Sequence, residues 1–178
     1  YAGKVISGTY KAGDRVTVQP SGQTTTVKSV ELGGKVLDEA FAPMSVVLQL
    51  QDEVDISRGD VIVKAADGLE VAQEFEAEVC WMHNKALKPG AKLLLRHNST
   101  ETRCVVRHID YKIDINTLDH LEDVDQIQLN DICRVQIKTA APLLLDKYEK
   151  NRSNGGFILV DETSFATVGA GMVAEIEY

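Results

Sequence analysis

Short runs of β-branched and aliphatic residues, separated by Gly, Pro, Asn and Asp, recur along almost the whole chain. Such runs predict strands at residues 15–18, 24–30, 45–50, 60–63, 74–81, 91–95, 102–112, 132–139, 156–160 and 172–176. Val16 and Val18 alternate with Thr17, which is the period-two pattern of a half-buried strand. Short strands with turns roughly every 8–12 residues are typical of small barrels and sandwiches. The sequence therefore predicts an all-β fold, with short helical turns only near 38–42 and 119–124.

The turn residues indicate how the strands are divided between domains. Gly lies at the third position of Lys-Ala-Gly-Asp (11–14), Ser-Arg-Gly-Asp (57–60) and Lys-Pro-Gly-Ala (88–91), where a turn needs positive φ. The small, polar stretch Ala-Ala-Asp-Gly (65–68) separates two series of strands. We therefore predict two domains, 1–69 and 70–178. Because the chain opens in mid-pattern without Met, we expect a fragment whose first domain is N-terminally truncated.

Composition and charge argue against several classes of protein. The net charge of the 178 residues is −8, and no stretch concentrates Lys and Arg, unlike a protein that neutralises nucleic-acid phosphates. No apolar run approaches the roughly 20 residues of a membrane span, and no signal peptide is evident. The three cysteines, Cys80, Cys104 and Cys133, are odd in number and far apart. We expect them to be reduced, buried side chains of a cytoplasmic protein.

The motifs of catalysis are missing. The sequence has no phosphate-binding G-x-x-x-x-G-K-[ST] loop, no G-x-S-x-G elbow and no H-E-x-x-H helix. Its four histidines are scattered, and the carboxylate clusters at 52–55 and 122–125 have the polar context of solvated turns. The residues therefore predict no catalytic residue, no cofactor-binding residue and no metal ligand, and they describe a binding or regulatory unit.

Two segments resemble translational GTPases. Ala-Thr-Val-Gly-Ala-Gly-Met-Val (166–173) is similar to the closing strand of the third domain of elongation factor Tu, where we expect the glycines to form a tight bend between close backbones. Residues 3–20 resemble the opening of that factor's second domain. The resemblance implies two small translation-factor-type β-barrels in tandem, a second-domain type at 1–69 and a third-domain type at 70–178.

Further segments resemble one family more closely. Residues 50–61, 111–118 (Tyr-Lys-Ile-Asp-Ile-Asn-Thr-Leu) and 151–161, together with 20–22 and 79–82, are similar to the large subunit of bacterial heterodimeric sulfate adenylyltransferase. The resemblance implies a preceding GTPase domain, absent here, that holds GTP and Mg. It also implies a small subunit of ATP-pyrophosphatase type that makes adenosine 5′-phosphosulfate from ATP and sulfate. This chain would then be a regulatory and assembly module, without a cofactor of its own, in sulfate assimilation.

Several residues are candidates for an interface. Arg58 and Asp60 either contact the GTPase domain or pin their turn through a local ion pair. Asn151, Arg152, Gly155 and Gly156 form either an interaction loop or a simple turn. Trp81 with Met82 at a strand end is either core or a partner hot spot. The alternative function is an RNA- or tRNA-binding module of a translational GTPase, which the acidic balance disfavours.

Overall fold

The computed structural model describes residues 1–64 and 70–177 of the chain. The chain forms two compact units, Tyr1–Leu69 and Glu70–Tyr178, and each has its own hydrophobic core. The predicted linker at 65–68 lies outside the described residues. No helix in the described ranges is long and apolar enough to cross a membrane.

The first unit is built from eight strands that surround small aliphatic side chains. The strands are β1 (Ala2–Lys4), β2 (Thr9–Tyr10), β3 (Arg15–Gln19), β4 (Gln23–Leu32), β5 (Lys35–Leu37), β6 (Ala40–Phe41), β7 (Ser45–Leu50) and β8 (Val61–Lys64). One sheet has the order β1-β7-β4-β3-β8 with β5 also on β4, and β2 pairs with β6. Its core consists of Val5, Val16, Val27, Val30, Ala40, Val46 and Leu48.

The second unit is a closed six-stranded barrel. Its elements are β9 (Glu70–Trp81), β10 (Lys92–His97), β11 (Thr100–Ile113), β12 (His120–Leu121), β13 (Ile132–Leu145), the helical turn α1 (Arg152–Gly155), β14 (Gly156–Val160) and β15 (Thr167–Glu177). The strand order is β10-β14-β15-β9-β13-β11, and β10 also pairs with β11, which closes the ring. β12 adds to β11 outside it. All these pairings are antiparallel.

A repeated turn, with Asp at its last position, leads into strands of both units. At residues 11–14, 57–60 and 128–131, the Asp carboxylate accepts the N–H of the first residue at 2.9, 2.8 and 2.8 Å. The Asp N–H donates back to the carbonyl of that first residue at 3.2, 3.1 and 3.0 Å. The third residue has positive φ, at Gly13, Gly59 and Asn130. Lysines pair with two of these aspartates, Lys64 with Asp14 and Lys112 with Asp131.

The all-β fold class is confirmed, and every predicted strand overlaps an observed one. The helical turns predicted near 38–42 and 119–124 are wrong, because these segments contain β6 and β12. Each pairs through two residues with another strand, β6 with β2 and β12 with β11, and that pairing overrides the weak local preference. The only helical turn in the described ranges, α1, was not predicted.

Two strands, β13 and β15, extend furthest beyond their predicted bounds. β13 continues through Ala-Ala-Pro to Leu145, because a register shift between Lys138 and Leu143 accommodates Pro142, which has no N–H to donate. β15 starts at Thr167, so the Gly-Ala-Gly segment lies inside the last strand and not in a bend before it. The expected tight bend is therefore wrong.

Gly171 instead makes room for an aromatic ring. A Cβ on Gly171 would lie 2.2 Å from Cζ of Phe157, the residue that it faces across β14 and β15. Phe157 also packs edge-to-face on Phe75, with ring centroids 5.7 Å apart. Because the barrel is closed, the Phe157 ring cannot move aside without displacing strands. The glycine is thus a packing requirement of the core.

Replacing Gly171 with Ala should destabilise the second unit by about 1–3 kcal/mol, because the new methyl overpacks the Phe157 ring. Urea unfolding followed by the fluorescence of Trp81, the single tryptophan, measures this loss. Gly171→Ala combined with Phe157→Leu should cost less than the sum of the two changes. Additive costs, or no loss of stability in Gly171→Ala, would contradict the assignment.

Candidate interaction sites

The two candidate residues of the turn at 57–60, Arg58 and Asp60, differ in their contacts. The carboxylate of Asp60 accepts the N–H of Ser57 at 2.8 Å and so holds the turn. Arg58 is exposed, and no hydrogen bond or ion pair of its side chain joins it to the residues that the structure describes. The local ion pair considered for Arg58 and Asp60 does not form. Asp60 is structural, whereas Arg58 is available to a partner, and its interface role stays a prediction.

Asp60→Ala should therefore affect stability and Arg58→Ala should not. Loss of the Asp60 acceptor should destabilise the first unit by about 0.5–1.5 kcal/mol, while the exposed Arg58 should contribute less than about 0.5 kcal/mol. Amide hydrogen exchange reads out the difference, since the Ser57 N–H loses its acceptor only in Asp60→Ala. Equal protection of the Ser57 amide in both variants would show that the carboxylate does not hold the turn.

The segment 151–156 encloses a buried polar cluster. Asn154 is 1% exposed, and its Nδ2 donates to the Leu144 carbonyl at 3.2 Å and to Asp146 Oδ2 at 3.1 Å. Its Oδ1 accepts from Asn98 Nδ2 at 2.7 Å. Asn151 Nδ2 also donates to Asp146 Oδ2, at 3.2 Å. The side chain of Asn154 thus fixes the loop to the β13 end, and Asn151 supports the same carboxylate.

The glycines of this segment are also structural. A Cβ on Gly155 would lie 2.4 Å from Cα of Tyr148 and 2.9 Å from the Asp146 carbonyl oxygen, so backbones meet there. Gly156 begins β14 under the Tyr148 ring. Arg152 is exposed on α1. Of the four candidates in this loop, Arg152 is the one whose side chain projects to solvent, and its contact with a partner stays a prediction.

His97 completes the cluster and was not anticipated from the sequence. The carbonyl of Asn154 accepts from His97 Nε2 at 2.8 Å, and the ring is 3% exposed. Burial lowers the pKa of His97 below its ordinary value, although this hydrogen bond and the nearby Asp146 oppose the shift. The alternation Leu93, Leu95, His97 along β10 was the available signal, since it points His97 inward.

A neutral buried His97 makes stability depend on pH. Below about pH 6.5 this residue becomes protonated in the unfolded chain, whereas in the folded chain it stays neutral to lower pH. Its contribution to the free energy of unfolding is therefore complete above that pH and falls as the pH falls below it. Urea unfolding of the second unit should show this decline in the wild type, and His97→Gln, which keeps an N–H donor, should weaken it. The exposed His108→Gln serves as the control, and an equal effect of both variants would contradict the assignment.

The other potential reactive groups are core side chains. Burial raises the pKa values of Cys104 and Cys133 to about 12, so both stay protonated thiols. Cys80 is half-buried, and all three cysteines are free. Trp81 is 4% exposed in the core, and its indole N–H donates to the Lys85 carbonyl at 2.8 Å. In residues 1–64 and 70–177, no three His, Cys, Asp or Glu side chains are placed to hold a metal ion.

Comparison with known proteins gives the class of these barrels. Residues 74–174 match the family described as GTP-eEF1A C-terminal domain-like, and residues 1–63 match elongation factor Tu domain 2. The chain belongs to this family of translation-factor-type barrels. Crystal structures of sup35 bound to GDP and to GMPPNP superpose with TM-scores of 0.88 and 0.89. At 18% identity over 99% of this chain and 44% of sup35, that likeness concerns the fold.

Closer relatives confirm the second resemblance. The chain is 43% identical over 175 residues to sulfate adenylyltransferase subunit 1 of Cellvibrio japonicus. It is 42% identical over 174 residues to the bifunctional enzyme CysN/CysC of Mycobacterium tuberculosis. It covers 37% and 28% of these relatives, respectively, so it corresponds to about a third of their length. The likeness to sulfate adenylyltransferase subunit 1 thus extends over almost the whole chain.

Proposed function

We propose that the chain is a non-catalytic regulatory and assembly module of a sulfate adenylyltransferase large subunit. The observation that carries the proposal is the identity of 42–43% with two sulfate adenylyltransferase subunit 1 relatives over 98% of the chain. That identity is more than twice the 18% shared with sup35, whose fold is the same. The sequence is thus more similar to the sulfate adenylyltransferase relatives than to sup35, although both have barrels of the same fold.

The contacts of the described residues are consistent with a module that functions by binding neighbouring parts of a complex. The polar atoms buried in the second unit are used within it, as the Asn154 cluster shows, and no described side-chain atom is buried without a hydrogen-bond partner. Burial keeps the thiols of Cys104 and Cys133 protonated. Asp114 and Asp161, whose pKa values are lowered, accept backbone N–H groups of their own loops. These groups stabilise the barrels, which leaves chemistry to other parts of the complex.

In this proposal GTP and Mg are bound by a separate GTPase domain of the same subunit, in the cytoplasm. A second subunit of ATP-pyrophosphatase type joins ATP to sulfate and releases pyrophosphate. The barrels transmit the nucleotide state of the GTPase domain to that second subunit, which is a coupling between two sites. Arg58 and Arg152, both exposed, are the side chains proposed to contact the neighbouring parts.

The proposal is tested with the full-length subunit and its second subunit, by measuring adenosine 5′-phosphosulfate formed from ATP and sulfate with and without GTP. We expect product that depends on GTP. Arg58→Ala and Arg152→Ala should lower the GTP stimulation while leaving GTP binding unchanged. GTP hydrolysis without product, together with binding of transfer RNA, would instead support the translational alternative.

A further inference from the structure

The loops of the second barrel expose apolar side chains at one end. Antiparallel pairing around the ring makes β9, β11 and β14 run in one direction, so the loops that follow them share an end. These loops are 82–91, 114–131 and 161–166, together called the loop end below. Backbone bonds confirm the proximity, since Leu87 pairs with Ile127 and the Met82 N–H donates to the Val168 carbonyl.

Most of the exposed apolar surface of the described unit is concentrated there. Exposed large apolar side chains in residues 70–177 are Val71, Met82, Ile115, Leu118, Leu121, Leu129, Phe165 and Met172, and all except Val71 and Met172 belong to the loop end. Ile115, Leu118 and Phe165 are 66%, 73% and 64% exposed. Exposed apolar side chains that are grouped in this way are typical of interaction surfaces, whereas scattered single ones are ordinary.

Two of these side chains are presented by the same kind of loop. Leu118 and Phe165 have φ of 62° and 56°, a conformation uncommon for any residue with a side chain. In each loop the N–H of that residue donates to the carbonyl of the Asp four positions earlier, at 2.7 and 2.9 Å. The carboxylates of Asp114 and Asp161 accept further N–H groups of their loops. The hydrogen bonds therefore hold the backbone of both loops where it presents these side chains, which lowers the backbone entropy lost on binding.

Charge determines the kind of partner. The three loops carry eight carboxylates and only two lysines. Asp131 pairs with Lys112 and Glu162 with Arg103. Asp119, Glu122, Asp123 and Asp125 are exposed and form no ion pair with any residue that the structure describes. Such a rim repels nucleic acid and anionic lipid, and it complements a basic protein surface.

We infer that the loop end docks on a basic surface with an apolar recess on the second subunit, which receives Leu118 and Phe165. The inference rests on the proposed function, because that function supplies the second subunit. The loop end would thus be the assembly surface of the module.

The test measures the affinity of the full-length subunit for its purified second subunit. Leu118→Gly with Phe165→Gly removes both side chains and suits the positive φ of both positions, so folding should be retained. We expect affinity to fall about tenfold or more, as for central apolar contacts. Val36→Ala, at a site 72% exposed in the first unit, is the matched control and should bind as the wild type does.

A second variant addresses the rim. Glu122→Gln with Asp125→Asn keeps the shape but removes two charges, so association should slow and its dependence on salt should weaken. Wild-type affinity for Leu118→Gly/Phe165→Gly would overturn the docking surface while leaving the proposed function intact. A change in GTP hydrolysis without a change in that affinity would assign the loop end to the subunit's own GTPase domain, which also overturns the inference. A wild-type subunit that does not bind the second subunit would overturn the proposed function itself.

Discussion

Closure of the second barrel depends on β10, which pairs with β14 along one edge and with β11 along the other. With this strand in place, each of the six strands has hydrogen-bonded neighbours on both sides, so the ring has no open edge. Closure also sets the volume of the interior, which is why one missing methyl at Gly171 is needed for the Phe157 ring. The closed ring thus determines both which side chains fill the core and which loops share an end of the barrel.

The same closure explains the burial of polar groups at the end opposite to the loop end. β10 ends in His97, which faces inward, and β13 ends near Asp146, so both approach the segment that contains Asn154. A buried carboxylate and imidazole are stable there only because Asn154, Asn98 and Asn151 supply or accept the hydrogen bonds that water would otherwise make.

Much of the fold could be predicted from the sequence, whereas the site could be predicted only in part. Alternation at Val16 and Val18, and turns with Gly before Asp, are local signals, and they gave the strands and the all-β class. β6 and β12 could not be found in this way, because a strand of two residues is too short to show alternation and is defined only by its partner strand, β2 for β6 and β11 for β12. The repeated turn at 128–131 was missed because Asn130 takes the positive φ that Gly takes elsewhere.

Residue type alone does not show which atoms a side chain contacts. Asn151 and Gly155 have the polarity and flexibility of a recognition loop, but their partners are Asp146 and the Tyr148 backbone within the same barrel. Conversely, Leu118 and Phe165 are residue types usually found in a core, but both are exposed. The cause in both cases is the closed ring, since it assigns inside and outside by strand register and loop geometry. Buried polar side chains of the second unit, such as Asn154, have their hydrogen-bond partners within it, so the loops that carry Leu118 and Phe165 among exposed carboxylates are the part of the described barrel whose side chains are left to contact other molecules.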